Sequence, residues 1–274
     1  MDDHRHGERE VLRSASNPAI ARVRAALRGR AEGLCVLEGD RLVDEALGLG
    51  LVPELLLVAA DRTERLAALE AAGARPRAVD PELLDRVGSL KHGPGVLALV
   101  PEPAPRPMGD LTALVDAVPG PALVLVVAGV ADPVNLGALA RSAEAAGAAC
   151  LVWVTGGVSP WNPRALRGSM GSLLRLPVLT AADAAEAASG LAEAALAVVH
   201  PATRGGVDPR AHDWSPPTAL WVGPEVGEAG NLPADAVPLT IPMAGGVESL
   251  NVTVAASLLL FAAGRVAPGG EAAR

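Results

Sequence analysis

The sequence predicts an α/β protein with two domains. Three observations predict this fold class: a length of 274 residues, short apolar runs that alternate with amphipathic stretches, and a proline-rich segment between the two halves. At roughly 150 residues per domain, the length favours about two domains. Strands that alternate with helices are typical of α/β folds, in which helices cover a sheet.

The half before the proline-rich segment indicates a small α/β domain. Ile20, Val23 and Leu27 share one face of a predicted helix. Asn17-Pro18 in front of them is a favourable cap and first-turn pair. The other apolar runs and capping residues predict strands at 34–37, 55–58 and 96–100, helices at 40–47 and 63–72, and a short helix opened by Asp80-Pro81.

The proline-rich segment is the predicted linker. From Pro101 to Pro107 the sequence is PEPAPRP, with proline at every second position. Proline fixes its own φ and restricts the residue before it, so the segment should be extended and stiff. The predicted organisation is a flexible tail at 1–13, a first domain at 14–100, the linker at 101–108, a second domain at 109–266 and a flexible tail at 267–274.

The second half continues the alternation with longer strands. Residues 123–128 form a continuous apolar run, which is expected of a strand that is covered on both faces. A helix at 135–146, a strand at 150–154 and a loop holding Gly156, Gly157, Pro160 and Pro163 are predicted next. Further strands are predicted at 177–179, 196–199, 219–222 and 237–239, and a final helix at 251–263.

Charge limits the classes of partner. A net charge of −8 argues against a nucleic-acid partner when it is taken alone, because phosphate binding needs cationic surface. Two stretches nevertheless carry arginines and no acid, and from charge alone they are equally well explained as RNA-binding patches or as solvated helix faces. They hold Arg13, Arg22, Arg24, Arg28 and Arg30 between residues 11 and 30, and Arg164, Arg167 and Arg175 between residues 159 and 180.

Composition disfavours other kinds of site. Aromatic residues are 2 % of the chain, too few for a platform on which RNA bases stack. Cys35 and Cys150 lie in apolar surroundings and are predicted to be buried thiols, and the histidines lack the spacing of metal ligands. The charged amino terminus and the longest apolar run, at 252–263, predict a cytoplasmic protein with no membrane partner, since a membrane helix needs ~20 residues. The spacing of the histidines predicts that no metal is bound.

Three segments of the second half could carry chemistry: DPVNLGALAR at 132–141, VGPEVG at 222–227 and IPMAGGVESLN at 241–251. Each follows a predicted strand, where open α/β sheets bind ligands, and each mixes glycine with a few polar groups. Taken singly, each also has a structural interpretation. Asn135, Ser249 and Asn251 could be helix caps, Arg141 could pair with Glu144, and Glu225 could be a helix-start carboxylate.

Together and in this order, the segments resemble the three signature motifs of the SpoU (TrmH-type) RNA ribose 2′-O-methyltransferases, a branch of the SPOUT superfamily. The first motif resembles NLGALARSAEAAGA at 135–148, the second resembles the GPE run at Gly223, and the third, the most specific, resembles IPMAGGVESLNVTVAA at 241–256. The resemblance covers about residues 14–264. The chain departs from the family pattern at Val226, where the family has glycine, and at Thr253, where it has serine.

The resemblance implies a fold, a cofactor and partners. The implied fold is a small amino-terminal α/β RNA-recognition domain followed by an α/β SPOUT methyltransferase domain with a carboxyl-terminal trefoil knot. The implied reaction transfers a methyl group from S-adenosylmethionine (SAM) to a ribose 2′-hydroxyl of RNA. The extra first domain favours ribosomal RNA, although transfer RNA stays open, and the family usually acts as homodimers.

The resemblance also implies roles for individual residues. Arg141 is expected nearest the chemistry, and because a guanidinium stays charged, it should grip a phosphate and stabilise the developing alkoxide instead of acting as a base. The implied catalytic set is Arg141, Asn135, Glu225, Ser249 and Asn251, and the implied cofactor-binding set is Gly223, Ile241, Met243, Gly245 and Leu250. The expected RNA-binding residues are Arg22, Arg24, Arg28, Arg30, Arg164 and Arg167.

Two other functions stay open on the sequence. One is a non-catalytic RNA-binding or ribosome-assembly protein that keeps the methyltransferase fold and does not bind SAM. The other is a Rossmann-type enzyme for a different nucleotide cofactor. That enzyme should carry a glycine-rich loop after an early strand, whereas the glycine loops here cluster late in the chain.

Overall fold

The computed structural model describes residues 10–90, 93–104, 106–224 and 232–264. The chain divides into two compact units, Met1–Glu102 and Pro103–Arg274. This division falls inside the predicted linker. The predicted tail at 267–274 and most of the predicted tail at 1–13 lie outside the described residues.

The first unit is a five-stranded mixed sheet covered by helices. Its strands lie in the order β1-β4-β3-β5-β2, in which β1, β4 and β3 are parallel and β5 is antiparallel to β3 and β2. Its elements are β1 (Val11–Leu12), α1 (Pro18–Leu27), β2 (Leu34–Glu38), α2 (Asp40–Gly48), β3 (Leu55–Ala59), α3 (Thr63–Ala71), β4 (Pro76–Val79), α4 (Pro81–Val87) and β5 (Val96–Pro101).

Two strands of the first unit were not predicted. Val11 pairs with Ala78 and Leu12 with Val79, so β1 extends the sheet and the predicted tail at 1–13 is wrong at these two residues. A two-residue strand is too short to give a period, and β4 begins with a proline and buries only its last two residues. Both strands therefore depend on pairing that the local sequence does not display.

The second unit is built on seven parallel strands. They lie in the order β12-β10-β11-β7-β8-β9-β6, and every neighbouring pair is parallel. The elements are β6 (Arg106–Pro107), α5 (Leu111–Asp116), β7 (Leu123–Ala128), α6 (Pro133–Ala145), β8 (Cys150–Val154), α7 (Pro163–Ser169), α8 (Ser172–Arg175), β9 (Val178–Ala181), α9 (Ala184–Glu193), β10 (Ala197–Pro201), β11 (Thr218–Val222), β12 (Val237–Leu239) and α10 (Val252–Ala262).

The predicted linker at 101–108 is too long at both ends. Pro101 is the last residue of β5, and Arg106–Pro107 pairs with β9 as strand β6. Met108 then contributes to the buried core of the second unit. Strand β6 lies at the edge of its sheet, where proline is tolerated, and Pro101 is only the terminal residue of β5, so the prolines do not keep either end of this segment out of a sheet.

Helices cover both faces of the second sheet. Residues of α5 and α9 share one buried core with Val124, Val126 and Trp221. Helix α6 packs against α7 and α10, and no residue of these three helices belongs to that core. Because α6 contacts β7 and α10 contacts β11, these helices cover the opposite face. The continuous apolar run of β7 is explained by this burial on two sides.

Helices α6 and α7 approach each other closely at Gly137. A Cβ at this position would lie 2.4 Å from the carbonyl oxygen of Ala165 and 2.8 Å from the amide nitrogen of Ser169. Helix α7 itself was not predicted; it begins at the end of the predicted loop, capped by Asn162, whose side chain accepts a hydrogen bond from the amide of Arg164 at 2.9 Å.

Both cysteines are buried, as predicted, one in each unit. Burial raises the pKa of the Cys35 and Cys150 thiols to about 12, so both stay protonated near neutral pH. Within the described ranges, no helix is long and apolar enough to cross a membrane, and no group of three or more His, Cys, Asp or Glu could hold a metal ion.

Candidate active site

A cavity of about 330 Å³ lies at the carboxyl ends of β10, β11 and β12. Strands β8 and β9 lie on one side of β7, and β11 lies on its other side. The strand order therefore reverses at β7, and open α/β sheets bind ligands beside such a reversal. The walls are mostly apolar, with a few polar groups, as in other small-molecule sites. They are formed by His200, Pro201, Ala202, Thr203, Trp221, Gly223, Pro224, Leu239, Ile241, Met243, Ser249, Leu250, Val252 and Ala255.

Most of the residues that the resemblance implied for the cofactor lie at this cavity. Gly223, Ile241, Met243 and Leu250 line it. Gly245 is not among the lining residues; it has a φ of +71° in the turn between Met243 and Leu250. Glycine adopts that conformation without strain, so Gly245 shapes the loop that carries the lining residues.

The third motif contributes one cavity residue and one helix cap from the implied catalytic set. Ser249 lines the cavity. Asn251 caps α10, and its side-chain oxygen accepts hydrogen bonds from the amides of Thr253 at 2.9 Å and Val254 at 3.4 Å. The structural interpretation of Asn251 as a cap is therefore observed, while Ser249 does not cap the helix.

Asn135 joins the first motif to the third. The cap of α6 is Asp132, which accepts from the amide of Val134 at 2.9 Å, so the interpretation of Asn135 as a cap is wrong. The side-chain oxygen of Asn135 instead accepts a hydrogen bond from the hydroxyl of Thr253 at 3.2 Å. The threonine that replaces the family's serine therefore supplies the hydroxyl that ties α10 to α6.

Arg141 lies on α6 with its side chain exposed and is not among the residues that line the cavity. Glu144, its possible partner one turn on, is engaged elsewhere: Arg175 donates to both of its carboxylate oxygens, at 2.6 and 2.8 Å. These hydrogen bonds hold the pKa of Glu144 below its usual value. Among the described residues, none forms an ion pair with Arg141.

The remaining predicted residues are scattered. Glu225 lies outside the described residues. Arg22 pairs with Glu54, and Arg24 donates to the carbonyl of Ala15 at 3.5 Å. Because Arg22 and Arg24 flank the buried Val23, they lie on different sides of α1 and do not form one patch. Of the others, Arg28, Arg30 and Arg164 are exposed and Arg167 is half-buried.

Several cavity residues were missed or left undecided by the sequence. The stretch His200 to Thr203 follows a strand and was equally well explained as an ordinary turn; it lines the cavity. Val252 and Ala255 lie one turn apart on α10, a spacing that gives one helix face and could have indicated them. Trp221 and Leu239 belong to apolar strands, and nothing in the sequence separates them from core residues.

The parallel sheet and its cavity define an α/β domain that binds a small-molecule cofactor, and the comparisons give its family. The profile described as the SpoU rRNA Methylase family matches residues 122–261. The chain belongs to this family and is a SAM-dependent RNA 2′-O-methyltransferase. The predicted family, enzyme class and cofactor are thus confirmed, and the Rossmann alternative is excluded.

The sequence similarity to known proteins extends over both units. The chain is 34 % identical over 202 residues to a "23S rRNA (guanosine-2'-O-)-methyltransferase RlmB" of Ralstonia nicotianae, covering 73 % of this chain and 80 % of that protein. A protein of the same name from Xylella fastidiosa (strain Temecula1) is 36 % identical over 220 residues, covering 78 % of this chain and 88 % of the relative.

Solved structures share the fold and, in two cases, the cofactor. The AdoMet-bound rRNA methyltransferase from Sinorhizobium meliloti has a TM-score of 0.77 and 27 % identity, covering 94 % of this chain and 98 % of that one. The SpoU methyltransferase AviRb from Streptomyces viridochromogenes, in complex with AdoMet, has a TM-score of 0.76 and 28 % identity, covering 90 % and 97 %.

Proposed function

We propose that this protein transfers a methyl group from SAM to a ribose 2′-hydroxyl of ribosomal RNA, with 23S RNA the favoured target. The observation that carries this proposal is the cavity itself, which is walled by the third motif at the carboxyl ends of three parallel strands. Relatives over most of the chain are named for guanosine 2′-O-methylation of 23S RNA. A ribosomal substrate also implies work in the cytoplasm.

The cavity suits the cofactor's shape and chemistry. Leu239, Ile241 and Leu250 offer an apolar slot for a flat adenine, and backbone groups beside Gly223 can satisfy its polar edge. When bound, SAM supplies an electrophilic methyl group on its sulfonium. Ser249 at the same cavity can hold the acceptor ribose by hydrogen bonding, so the two reactants meet in a fixed orientation.

Arg141 serves the acceptor side of the reaction in this proposal. A neutral ribose hydroxyl is a weak nucleophile and becomes reactive as its proton leaves. The Arg141 guanidinium cannot take that proton, but it can bind the neighbouring phosphate and stabilise the growing negative charge on oxygen. Its exposure, and the engagement of Glu144 by Arg175, leave it available for this contact.

We infer that the site is completed by a second copy of the chain. Val254, Leu258 and Phe261 follow one another at helical spacing along α10 and are 48, 50 and 57 % exposed. An exposed apolar stripe of this kind is typical of a protein–protein interface. Because α10 packs on α6, pairing of two α10 helices would bring Arg141 of one copy towards the other copy.

The trefoil knot and the RNA-binding role of the first unit remain part of the proposal. Strand β12 lies at the sheet edge, yet α10, which follows it, packs against α6 and β11 in the interior of the sheet. The intervening loop at 240–251 must therefore cross the strand ends, as a knotted chain requires. For the first unit, the support is its α/β fold and the exposed Arg28 and Arg30.

Replacement of Arg141 tests the catalytic role. Arg141→Ala should lower methyl transfer from labelled SAM to ribosomal RNA by about 100-fold or more, the usual loss for a preorganised charge-stabilising group, and leave SAM affinity unchanged. The matched control is Arg210→Ala, since Arg210 is an exposed arginine of the same unit that pairs with Asp208. Transfer at the wild-type rate in Arg141→Ala would show that the role is wrong.

The same variant tests completion by a second copy. It is co-expressed with Leu250→Arg, which keeps Arg141 but should block the cofactor cavity. If Arg141 acts across the interface, random pairing of the two inactive chains restores about one quarter of wild-type activity, because half the dimers gain one complete site. If Arg141 acts within its own chain, the mixture stays inactive. Absence of SAM binding by the wild-type chain would instead favour the non-catalytic RNA-binding alternative.

A further inference from the structure

A short loop at residues 202–206 lies at the rim of the cavity. The chain leaves β10 at Pro201, and the stretch from His200 to Thr203 lines the cavity. Thr203 is itself exposed, so this part of the wall also faces solvent. The chain returns to the sheet at Val207, which forms an isolated parallel bridge with Leu239 of β12. The loop therefore leaves and rejoins the sheet directly beside the cofactor site.

Hydrogen bonds fix both ends of this loop on β12 and the residue after it. The amide of Ala202 donates to the carbonyl of Leu239 at 2.8 Å, and the amide of Gly206 donates to the hydroxyl of Thr240 at 2.9 Å. Gly206 also approaches the sheet so closely that a Cβ would lie 2.6 Å from the carbonyl oxygen of Pro238. Because both ends are held, the backbone of Arg204, in the middle of the loop, is held beside the cavity.

Arg204 is an exposed cation without a partner in the part of the chain that the structure describes. No ion pair and no side-chain hydrogen bond engages its guanidinium there. Arg210, further along the same connection, is also exposed but pairs with Asp208. A guanidinium carries its donors in a planar fork, which matches the geometry of a phosphate or a carboxylate. Arg204 thus offers an anion-binding group at the rim of the site.

The placement of Arg204 favours RNA over the cofactor as the anionic ligand. Its side chain is exposed and is not among those that line the cavity, so its charge lies on the solvent side of the rim. The acceptor nucleotide must bring its ribose to the cavity from solvent, and the phosphates on either side of that ribose must pass over the rim. Because the chain carries a net charge of −8, a polyanion needs such local cations in order to bind.

We propose that Arg204 binds a backbone phosphate of the RNA beside the ribose that accepts the methyl group. This inference rests on the proposed function, and Arg204 lies outside the three motif segments. Arg141 stabilises charge that develops during the reaction, whereas Arg204 makes the same contact before and during it. An interaction that is equally strong in the ground state and the transition state lowers KM and leaves kcat unchanged.

Steady-state methyl transfer to 23S RNA that has been transcribed in vitro tests this contact. Arg204→Ala should raise the KM for RNA about 10-fold at low salt, as expected for an exposed charge-assisted hydrogen bond, and leave kcat and SAM affinity at their wild-type values. Arg204→Lys keeps the charge and should recover part of the loss, whereas Arg204→Gln should not. Arg210→Ala is the matched control and should behave as the wild type does.

The salt dependence of RNA binding distinguishes a phosphate contact from a structural effect. Each phosphate contact contributes about 0.7–0.9 to the slope of log affinity against log salt concentration. The slope of Arg204→Ala should therefore be smaller than that of the wild type by about this amount, and Arg204→Lys should keep the wild-type slope. A residue that only supported the fold would leave the slope unchanged and lower the Tm.

The outcomes separate this inference from the proposed function. A wild-type KM and salt slope in Arg204→Ala would overturn the role of Arg204 and leave the methyltransferase intact. A loss of SAM affinity without a change in the KM for RNA would also overturn it, since Arg204 would then hold the cofactor's carboxylate. Absence of methyl transfer to 23S RNA by the wild-type chain overturns the proposed function together with this inference.

Discussion

Each unit of this chain has a cavity beside its sheet, and the two cavities lie at opposite ends of their strands. The cavity of the first unit has about 770 Å³ and lies where β3 and β4 begin, between Leu51–Leu56 and Arg75–Arg77. The cavity of the second unit has about 330 Å³ and lies where β10, β11 and β12 end. The smaller one carries the methyltransferase motifs, so strand direction identifies the site and volume does not.

Strand direction also explains why different ends of helices surround the two cavities. In the first unit, α2 ends at the cavity at Gly48, and α3 ends at Ala71, one residue before the cavity residues Ala72 and Gly73, so both present the carbonyl ends of helices. In the second unit, the amino-terminal end of α10 lies at the cavity, at Val252, and the side chain of Asn251 accepts hydrogen bonds from two of the amides of its first turn. Amide groups and glycine-containing loops can bind the polar edge of a nucleotide, whereas helix carbonyl ends repel its anionic groups.

The largest expected effect is a difference in SAM affinity between variants that fill one cavity or the other with a bulky side chain. Ala255→Phe places a ring in the second cavity and should weaken SAM binding by at least ~100-fold, because the cofactor and the ring cannot share the space. Ala74→Phe is the matched change in the first cavity and should leave SAM affinity unchanged. Calorimetric titration of both variants with SAM makes the comparison.

The opposite effect of the two variants on SAM affinity would contradict the assignment of the cofactor to the second cavity. If Ala74→Phe weakened SAM binding and Ala255→Phe did not, the cofactor would occupy the first unit. Thermal unfolding without cofactor must accompany the titrations, so that loss of binding is not confused with loss of fold.

A smaller difference between the units is expected in the free energy of unfolding when a helix glycine is replaced by alanine. Gly137→Ala forces a Cβ against the backbone of α7 and should lower the free energy of unfolding by about 1–3 kcal/mol, the usual effect of overpacking. Gly48, at the end of α2, has no atom within 4 Å of an added Cβ. Gly48→Ala should therefore raise stability by about 0.4–1 kcal/mol through a less flexible unfolded chain.

Denaturant unfolding checks both glycine variants. Gly137→Ala with wild-type stability would mean that α7 yields at no cost, and α6 would then not be held rigidly beside the site. The expected loss would instead make the tight contact a support for Arg141 and Asn135, which lie on the same helix.

The smallest expected effect concerns surface ion pairs. The pKa of Glu144 is lowered in the folded protein by its hydrogen bonds from Arg175. This pair therefore stabilises the fold fully above the unfolded carboxyl pKa of about 4.3, and the contribution is lost as the pH falls through the lower folded pKa. Glu144→Gln should lower the Tm slightly at pH 7, and this difference from wild type should shrink as the pH is lowered into the acid range. A difference that stays constant as the pH falls would contradict this origin.

The sequence predicted the elements and motifs that have a local signal. Long apolar strands such as 123–128 and 150–154 and the caps Asn17 and Asp80 are as predicted, because side-chain period and capping chemistry are local properties. The family motifs also identified five lining residues of the cavity before any geometry was known: Gly223, Ile241, Met243, Ser249 and Leu250.

Other features depend on long-range contacts and could not be predicted. Glu144 binds Arg175, 31 residues away, and not Arg141 one turn back, since helix spacing gives only a possible partner. Trp221 looked like any core residue of a strand, and only the fold places it at a cavity. Strand β1 forms because its two residues pair with β4, far along the chain.

The bond between Asn135 and Thr253 closes a stretch of 118 residues, and the contact between Ser142 and Ser257 closes one of 115. Contacts of such long range form slowly, because the entropy of closing the loop is lost before the contact stabilises the chain. During synthesis on the ribosome, α10 emerges after every strand of its sheet, so a growing chain has no complete pocket. Binding of the methyl donor therefore requires the folded unit, and a donor that binds only the folded state stabilises it.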